Sequence, residues 1–261
     1  MSSEVFWIAS AAILGLIFGS FGSVVAHRVP RGESIVEGRS KCPNCGRTIT
    51  AAENIPVFSY VFLRGRCRGC GARISPRYPL IELATAALFG LSAWKFGITA
   101  EAVLYAAFFW VLVVLTVIDF EHNLLPDKIV YPTFAIAWVA LIAIAVAGDD
   151  LDSLVDAALG AAIFGGFFFL VAFIYPAGMG GGDIKLAFVL GTMLGFVEGV
   201  GVVLVGMFLS FFIGAIAGVG VMIATGRGRK SKVPFGPFLA LGTILAIFVG
   251  RPLLDEYTSL F

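Results

Sequence analysis

Four cysteines and two aspartates carry the chemistry that can be read directly from this chain. The cysteines form Cys42-Pro43-Asn44-Cys45 and Cys67-Arg68-Gly69-Cys70, two CxxC units separated by 21 residues. Each CxxC turns the backbone so that two thiolates meet one ion. Two such knuckles make a closed tetrahedral S4 site, which suits structural Zn2+. Gly46, Gly69 and Gly71 are expected to supply the turn conformations. Four protein ligands leave no position for water, so such a zinc holds structure and does not catalyse. Two disulfides, or an iron or redox role, compete for the same spacing.

The aspartates are Asp119, which ends the apolar run Val113-Val114-Leu115-Thr116-Val117-Ile118, and Asp183, which follows Gly178-Met179-Gly180-Gly181-Gly182. A carboxylate near lipid is costly and tends to mark function. Two carboxylates held a few ångströms apart share one proton. The ionised member then activates a water, and the protonated member donates to a scissile carbonyl oxygen. That is aspartic peptidase chemistry. Gly178 and Gly180 to Gly182 would let a substrate backbone approach closely, since no side chain intervenes. The plainer alternatives are aspartates that are solvated or paired with Lys128 or Lys185, and glycines that serve a tight turn or helix packing. No GxSxG, HExxH or Walker loop occurs. His27 and His122 read as interface residues.

The elements that must hold these groups can be read from composition. Of 261 residues, 59% are apolar and 13% charged, against roughly 25% charged in soluble domains. Mean hydropathy is +0.97. This excludes a soluble domain and a disordered chain. A net charge of +1 argues against nucleic acid as a partner. Continuous apolar runs lie near 5–26, 79–97, 101–118, 129–147, 155–176, 184–197, 199–224 and 235–250. The expected fold is therefore an all-α polytopic membrane protein in a lipid bilayer, with about eight transmembrane helices. It divides into a first transmembrane helix (1–26), a cytoplasmic tetracysteine insert (27–78) and a helical membrane core (79–261).

The basic residues set the orientation. With the N-terminus outside, the inside segments hold 16 of the 18 Lys and Arg, ten of them between Arg28 and Arg77 and four at Arg227, Arg229, Lys230 and Lys232. Asp119, Asp183 and the insert then share the cytoplasmic side. A proton- or cation-coupled transporter would also use membrane aspartates, but it leaves the cysteines unexplained. A membrane scaffold that uses the insert to bind a partner is a third reading.

An ordered series of motifs resembles the bacterial type IV prepilin leader peptidases, which also serve type II secretion. It comprises Gly19-Ser-Phe-Gly-Ser-Val-Val-Ala-His-Arg-Val-Pro30, Cys42-Pro-Asn-Cys45, Glu53-Asn-Ile-Pro-Val-Phe-Ser-Tyr60, Leu63-Arg-Gly-Arg-Cys-Arg-Gly-Cys70, Ile74-Ser-Pro-Arg-Tyr-Pro-Leu-Ile-Glu82, Ile118-Asp119 with Leu125-Pro-Asp127, and Gly180-Gly-Gly-Asp183-Ile-Lys-Leu186. The resemblance runs from about residue 15 to 190 and then thins into generic apolar spans. It departs at Gly22-Ser23, where an Asn is commoner.

The resemblance implies an enzyme of the bacterial inner membrane with two activities. It cleaves a short basic leader from prepilins or pseudopilins, whose apolar N-terminal helix lies in the bilayer. It then methylates the new N-terminal residue with S-adenosylmethionine. It also implies that Asp119 and Asp183 are the peptidase aspartates, with Asp127, Gly180, Gly182 and Lys185 in support. The cysteine insert favours retained methyltransferase activity. No GxGxG-type cofactor loop occurs, so no residue is assigned to the methyl donor.

Overall fold

The computed structural model describes residues 3–175, 179–225 and 234–259. Gly178 and the basic residues Arg227, Arg229, Lys230 and Lys232 lie outside the described residues. Among the described residues, nine α-helices account for nearly all regular structure: α1 (Ser3–Arg28), α2 (Phe58–Phe62), α3 (Arg77–Phe96), α4 (Ala100–His122), α5 (Asp127–Ala147), α6 (Asp152–Ile174), α7 (Gly181–Glu198), α8 (Val200–Thr225) and α9 (Gly236–Thr258). The only extended pairings among these residues are two isolated antiparallel bridges, Lys41 with Thr48 and Arg66 with Arg73.

A long helix stands at each of the eight apolar runs. Six of these helices, α1, α4, α5, α6, α8 and α9, are long and apolar enough to cross a membrane. The other two carry three charged residues each, Arg77, Glu82 and Lys95 in α3 and Asp183, Lys185 and Glu198 in α7, most of them near the helix ends. The count of eight spans therefore remains an expectation. The shortness of α7 has a packing reason. It contacts α5, α6, α8 and α9, and from Leu186 to Phe196 nearly every residue is buried. A helix surrounded by protein does not need a continuous lipid-facing surface.

The chain forms two compact units, Met1–Val114 and Leu115–Phe261. In the first, α1 and α3 pack backbone to backbone. A Cβ on Gly15 would lie 2.6 Å from the Ala86 Cα, and one on Gly19 would lie 2.6 Å from the Glu82 Cα. Small residues at such crossings are the usual way for apolar helices to associate without a hydrophobic driving force. Trp110 of α4 then locks onto α1. Its Nε1–H donates to the Phe18 carbonyl at 2.8 Å, and its ring stacks on Phe21 with centroids 5.9 Å apart. In the second unit, α6 and α7 approach just as closely through Gly160 and Gly191, where an added Cβ on either would strike the other's carbonyl.

Candidate functional site

The tetracysteine segment has almost no apolar core of its own. Between Val29 and Leu80 only Cys42 is buried, so the sulfurs are its centre. The two knuckles repeat one another. Cys42 N–H donates to Arg47 O at 2.9 Å and Gly46 N–H to Cys42 O at 2.9 Å. In the second knuckle Cys67 N–H donates to Ala72 O at 2.8 Å and Gly71 N–H to Cys67 O at 2.9 Å. Gly46 and Gly71 take φ values of 70° and 71°, which a side chain would resist. Gly69 does not adopt a positive φ, so its expected turn role falls away. A side chain there would instead crowd Arg47 Cδ at 3.0 Å.

All four cysteines are free thiols, and their sulfurs lie within 4.8 Å of one another. Cys42 Sγ and Cys70 Sγ are 3.9 Å apart. Four sulfurs about 2.3 Å from one central ion would stand about 3.8 Å apart, so the cluster is compatible with a single tetrahedral metal. Backbone N–H groups of Cys45 and Asn44 lower the Cys42 pKa. The Asn44 amide, with the Ala72 N–H, draws Cys70 down to about 6. These two shifts favour the thiolate, the form that binds metal. At Cys45, by contrast, the Arg47 N–H is outweighed by burial and the neighbouring sulfurs, which push the thiol up to about 11. Alongside, Arg47 grips both oxygens of Glu53, at 2.8 and 3.0 Å. The Thr50 N–H and this guanidinium hold Glu53 at about 2, so the bridge persists far into the acid range.

The second cluster lies in the Leu115–Phe261 unit. Helix α4 continues past the apolar run, so Asp119 sits in its last turn and is 5% exposed. The helix ends at Asn123, whose N–H returns to the Asp119 carbonyl at 2.8 Å and whose φ of 49° is the left-handed conformation that Asn tolerates. Asp183 lies in the first turn of α7, whose N-cap is Gly180. Helix N-termini favour negative charge there.

Leu125 fills the space between the start of α7, which carries Asp183, and the start of α9, whose Gly236 binds Asp119. A Cβ on Gly182 would lie 2.8 Å from the Leu125 Cβ, and one on Gly236 would lie 3.3 Å from its Cδ2. Gly182 thus serves packing. At Gly180 a Cβ would come within 3.0 Å of the Asp183 carboxylate. Lys185 donates to both oxygens of Asp127, at 2.7 and 2.9 Å, and lies over the Tyr131 ring. The expected cation therefore pairs with Asp127. Among the described residues neither Asp119 nor Asp183 has a salt-bridge partner.

Sequence reasoning missed one contributor. Asp119 Oδ2 accepts the Gly236 N–H at 3.0 Å. This is the first residue of α9, one of the helix-start donors that lack an intrahelical partner. The preceding Phe235 is pinned by Phe211 and Phe168, with centroids 5.6 and 6.0 Å away. A glycine between Phe235 and Pro237 at the head of an apolar run was the available signal. It lies beyond the stretch that carries the resemblance.

Over 250 residues the chain is 39% identical to the prepilin leader peptidase/N-methyltransferase of Bacillus subtilis, covering 95% of this chain and 96% of that one. It belongs to the type IV leader peptidase family. The family model of that description matches residues 106–219, and a model described as the bacterial peptidase A24 N-terminal domain matches residues 13–96. The same relative name is borne by proteins of Pseudomonas aeruginosa (35% identity; 98% of this chain and 95% of that one) and Aeromonas hydrophila (35%; 95% and 93%). None of these relatives is named as a transporter. No solved structure matches the chain. The N-terminal model ends before α4 and spans the cysteines and Glu82. The leader peptidase model spans Asp119, Asp127 and Asp183 but stops short of Gly236.

Proposed function

We propose that this chain cleaves the basic leader from type IV prepilins or type II secretion pseudopilins and then N-methylates the exposed residue. The observation that carries the reading is that Asp119, in the last turn of α4, and Asp183, in the first turn of α7, are both tied to the surroundings of Leu125, which packs on Gly182 beside Asp183 and on Gly236 that Asp119 binds, in a member of the leader peptidase family. One carboxylate takes a proton from water as the water attacks the scissile carbonyl carbon. The other gives its proton to the carbonyl oxygen. Collapse of the tetrahedral intermediate returns a proton to the leaving amine. Gly236 orients Asp119, Gly180 leaves room beside Asp183, and the Asp127–Lys185 pair ties the start of α5 to that of α7.

The basic-residue count supports an N-terminus outside and the aspartates at the cytoplasmic face, where an apolar pilin helix in the bilayer would present its leader junction. The apolar helices and the family fit a multi-pass protein of the inner membrane. Functionally we divide the chain into a first helix (1–26), a zinc module (27–78) and the peptidase core (79–261). Cys42, Cys45, Cys67 and Cys70 would hold one Zn2+, which would supply structure. The methyl donor is S-adenosylmethionine, a second substrate. Its methyl passes from sulfonium sulfur to the neutral pilin amine, so positioning dominates that step.

The direct test is mass spectrometry of a prepilin incubated with the purified chain and S-adenosylmethionine. Loss of the leader and gain of one methyl at the new N-terminus are expected, and an intact leader would overturn the reading. A sharper check is Gly236→Ala. The new Cβ would stand 2.7 Å from Asp119 Oδ2, and misplacing a reacting group by 1 Å costs about a hundredfold. Cleavage should fall by that order with zinc content unchanged. Cleavage at the wild-type rate would remove Gly236 from the site.

A further inference from the structure

Glu82 is a buried carboxylate that the proposed chemistry does not use. It lies on α3 at the crossing with α1 and is 7% exposed. Its Oε2 accepts the Val57 N–H at 2.7 Å. Val57 is in an unusual conformation, with φ 60° and ψ −50°. The Phe58 N–H closes back on the Pro56 carbonyl at 2.6 Å, which makes Val57 the centre of a left-handed γ-turn. That turn is rare and strained, and more so for a β-branched residue. Strain of this kind persists only where surrounding contacts impose it. Here the buried carboxylate supplies the fixed contact.

The turn sets the direction of α2. That helix begins at Phe58, and Phe58, Val61 and Phe62, at positions i, i+3 and i+4, share one face. They are 61%, 66% and 85% exposed. The segment that bears them also exposes Ile35, Val36 and Ile55, but only on α2 do three such residues share one helix face. Exposed basic residues flank this face in sequence, at Arg64, Arg66, Arg68 and Arg73. Glu82 also fixes the depth of the face, because it lies only about 8 Å into α3 and is bonded to the turn directly ahead of α2.

We propose that α2 is an interfacial foot, with Phe58, Val61 and Phe62 seated in the headgroup layer of the bilayer that the long helices cross. Two observations choose lipid as the occupant. The face is tethered by a single hydrogen bond to the beginning of α3, whose own Leu80 and Leu83 are exposed apolar residues. The four exposed arginines that follow the face in sequence match an anionic lipid surface, and an apolar face accompanied by basic residues is the usual composition of interfacial anchors. The foot would set the height of the cysteine segment above the membrane. The inference rests on the reading of Arg77–Phe96 as a membrane helix.

The test replaces Val61 or Phe62, one at a time, with the photo-crosslinking residue benzoylphenylalanine. The full chain is reconstituted in vesicles of phosphatidylglycerol and phosphatidylethanolamine, with Leu80 and Glu37 as further probe positions. Lipid adducts are expected by mass spectrometry at 61, 62 and 80 and not at 37. In the Phe62 probe, Glu82→Ala should lower the adduct yield several-fold, whereas Glu82→Gln, which can still accept the Val57 N–H, should restore it. Absence of lipid adducts at 61 and 62 while 80 is labelled would overturn the foot and leave the membrane reading of α3 standing. Absence at all three would overturn both. Adducts to added prepilin in place of lipid would make the face a substrate surface, which also overturns the proposal.

Discussion

Asp119→Asn and Asp183→Asn should each abolish leader cleavage in a chain that remains folded in the membrane. One positioned acid or base is worth about 10²–10⁴ in rate. A pair that acts as a unit loses nearly all of its joint contribution when either member is lost. Asn keeps the shape of Asp, and an Asn at 119 can still accept the Gly236 N–H that Asp119 Oδ2 now holds at 3.0 Å. It cannot carry the shared proton. The expected readout is unprocessed prepilin by mass spectrometry, with normal yield of the variant in detergent. The same variants should still methylate a pre-cleaved pilin with a free N-terminal Phe, because methyl transfer needs no carboxylate pair. Substantial cleavage by either variant would defeat the dyad. Failure to methylate the pre-cleaved pilin would mean that both reactions share one centre.

The aspartates were legible because each stands at the end of an apolar run, where an ionisable group is costly enough to be noticed. The cysteines were legible because their spacing alone builds a site. Gly236 was not. Its contribution is a backbone N–H, which every residue but proline possesses, and only the tertiary approach of α9 to Asp119 reveals it. The same limit applies to Lys185. Sequence offered it as a partner for the aspartates, but its side chain reaches across to Asp127 at the start of α5. The eight long helices were readable from the apolar runs, whereas the short α2 inside the cysteine segment was not. The number of helices that span the bilayer was not readable either, because α7 is surrounded by α5, α6, α8 and α9 and carries Asp183, Lys185 and Glu198 near its two ends. Val57 was the least legible feature. Nothing in Ile55-Pro56-Val57-Phe58 announces a left-handed valine, and the carboxylate that fixes it lies 25 residues away in sequence.

Removing the metal should have the second large effect, and it should fall on methylation at least as heavily as on cleavage. Between Val29 and Leu80 only Cys42 is buried, so little apolar surface stabilises the module. Binding of a structural zinc by four thiolates is worth about 10–16 kcal/mol, as much as the whole stability of an ordinary domain, about 5–15 kcal/mol. Without the ion, the knuckle hydrogen bonds, the Arg47–Glu53 bridge, the bonds from Arg28 to the Ser34, Glu37 and Gly38 carbonyls and the Val57–Glu82 bond still hold the segment. Such bonds, each worth about 1 kcal/mol, do not replace the metal. The purified chain should contain about one zinc, as a closed S4 site requires. Cys67→Ser should lose that zinc, and the 27–78 segment should become sensitive to protease. The four cysteines lie in the Met1–Val114 unit and the aspartates in the Leu115–Phe261 unit, so Cys67→Ser should spare more cleavage than methylation. On the proposed topology, S-adenosylmethionine would reach its acceptor from the cytoplasm, which would make the cysteine segment or its junction with α3 the place for it. Mass spectrometry of a pre-cleaved pilin, with and without added zinc, separates the two effects. Full methylation by a zinc-free variant would break the link between the module and the transfer step. A chain found to contain two disulfides would remove the zinc site itself.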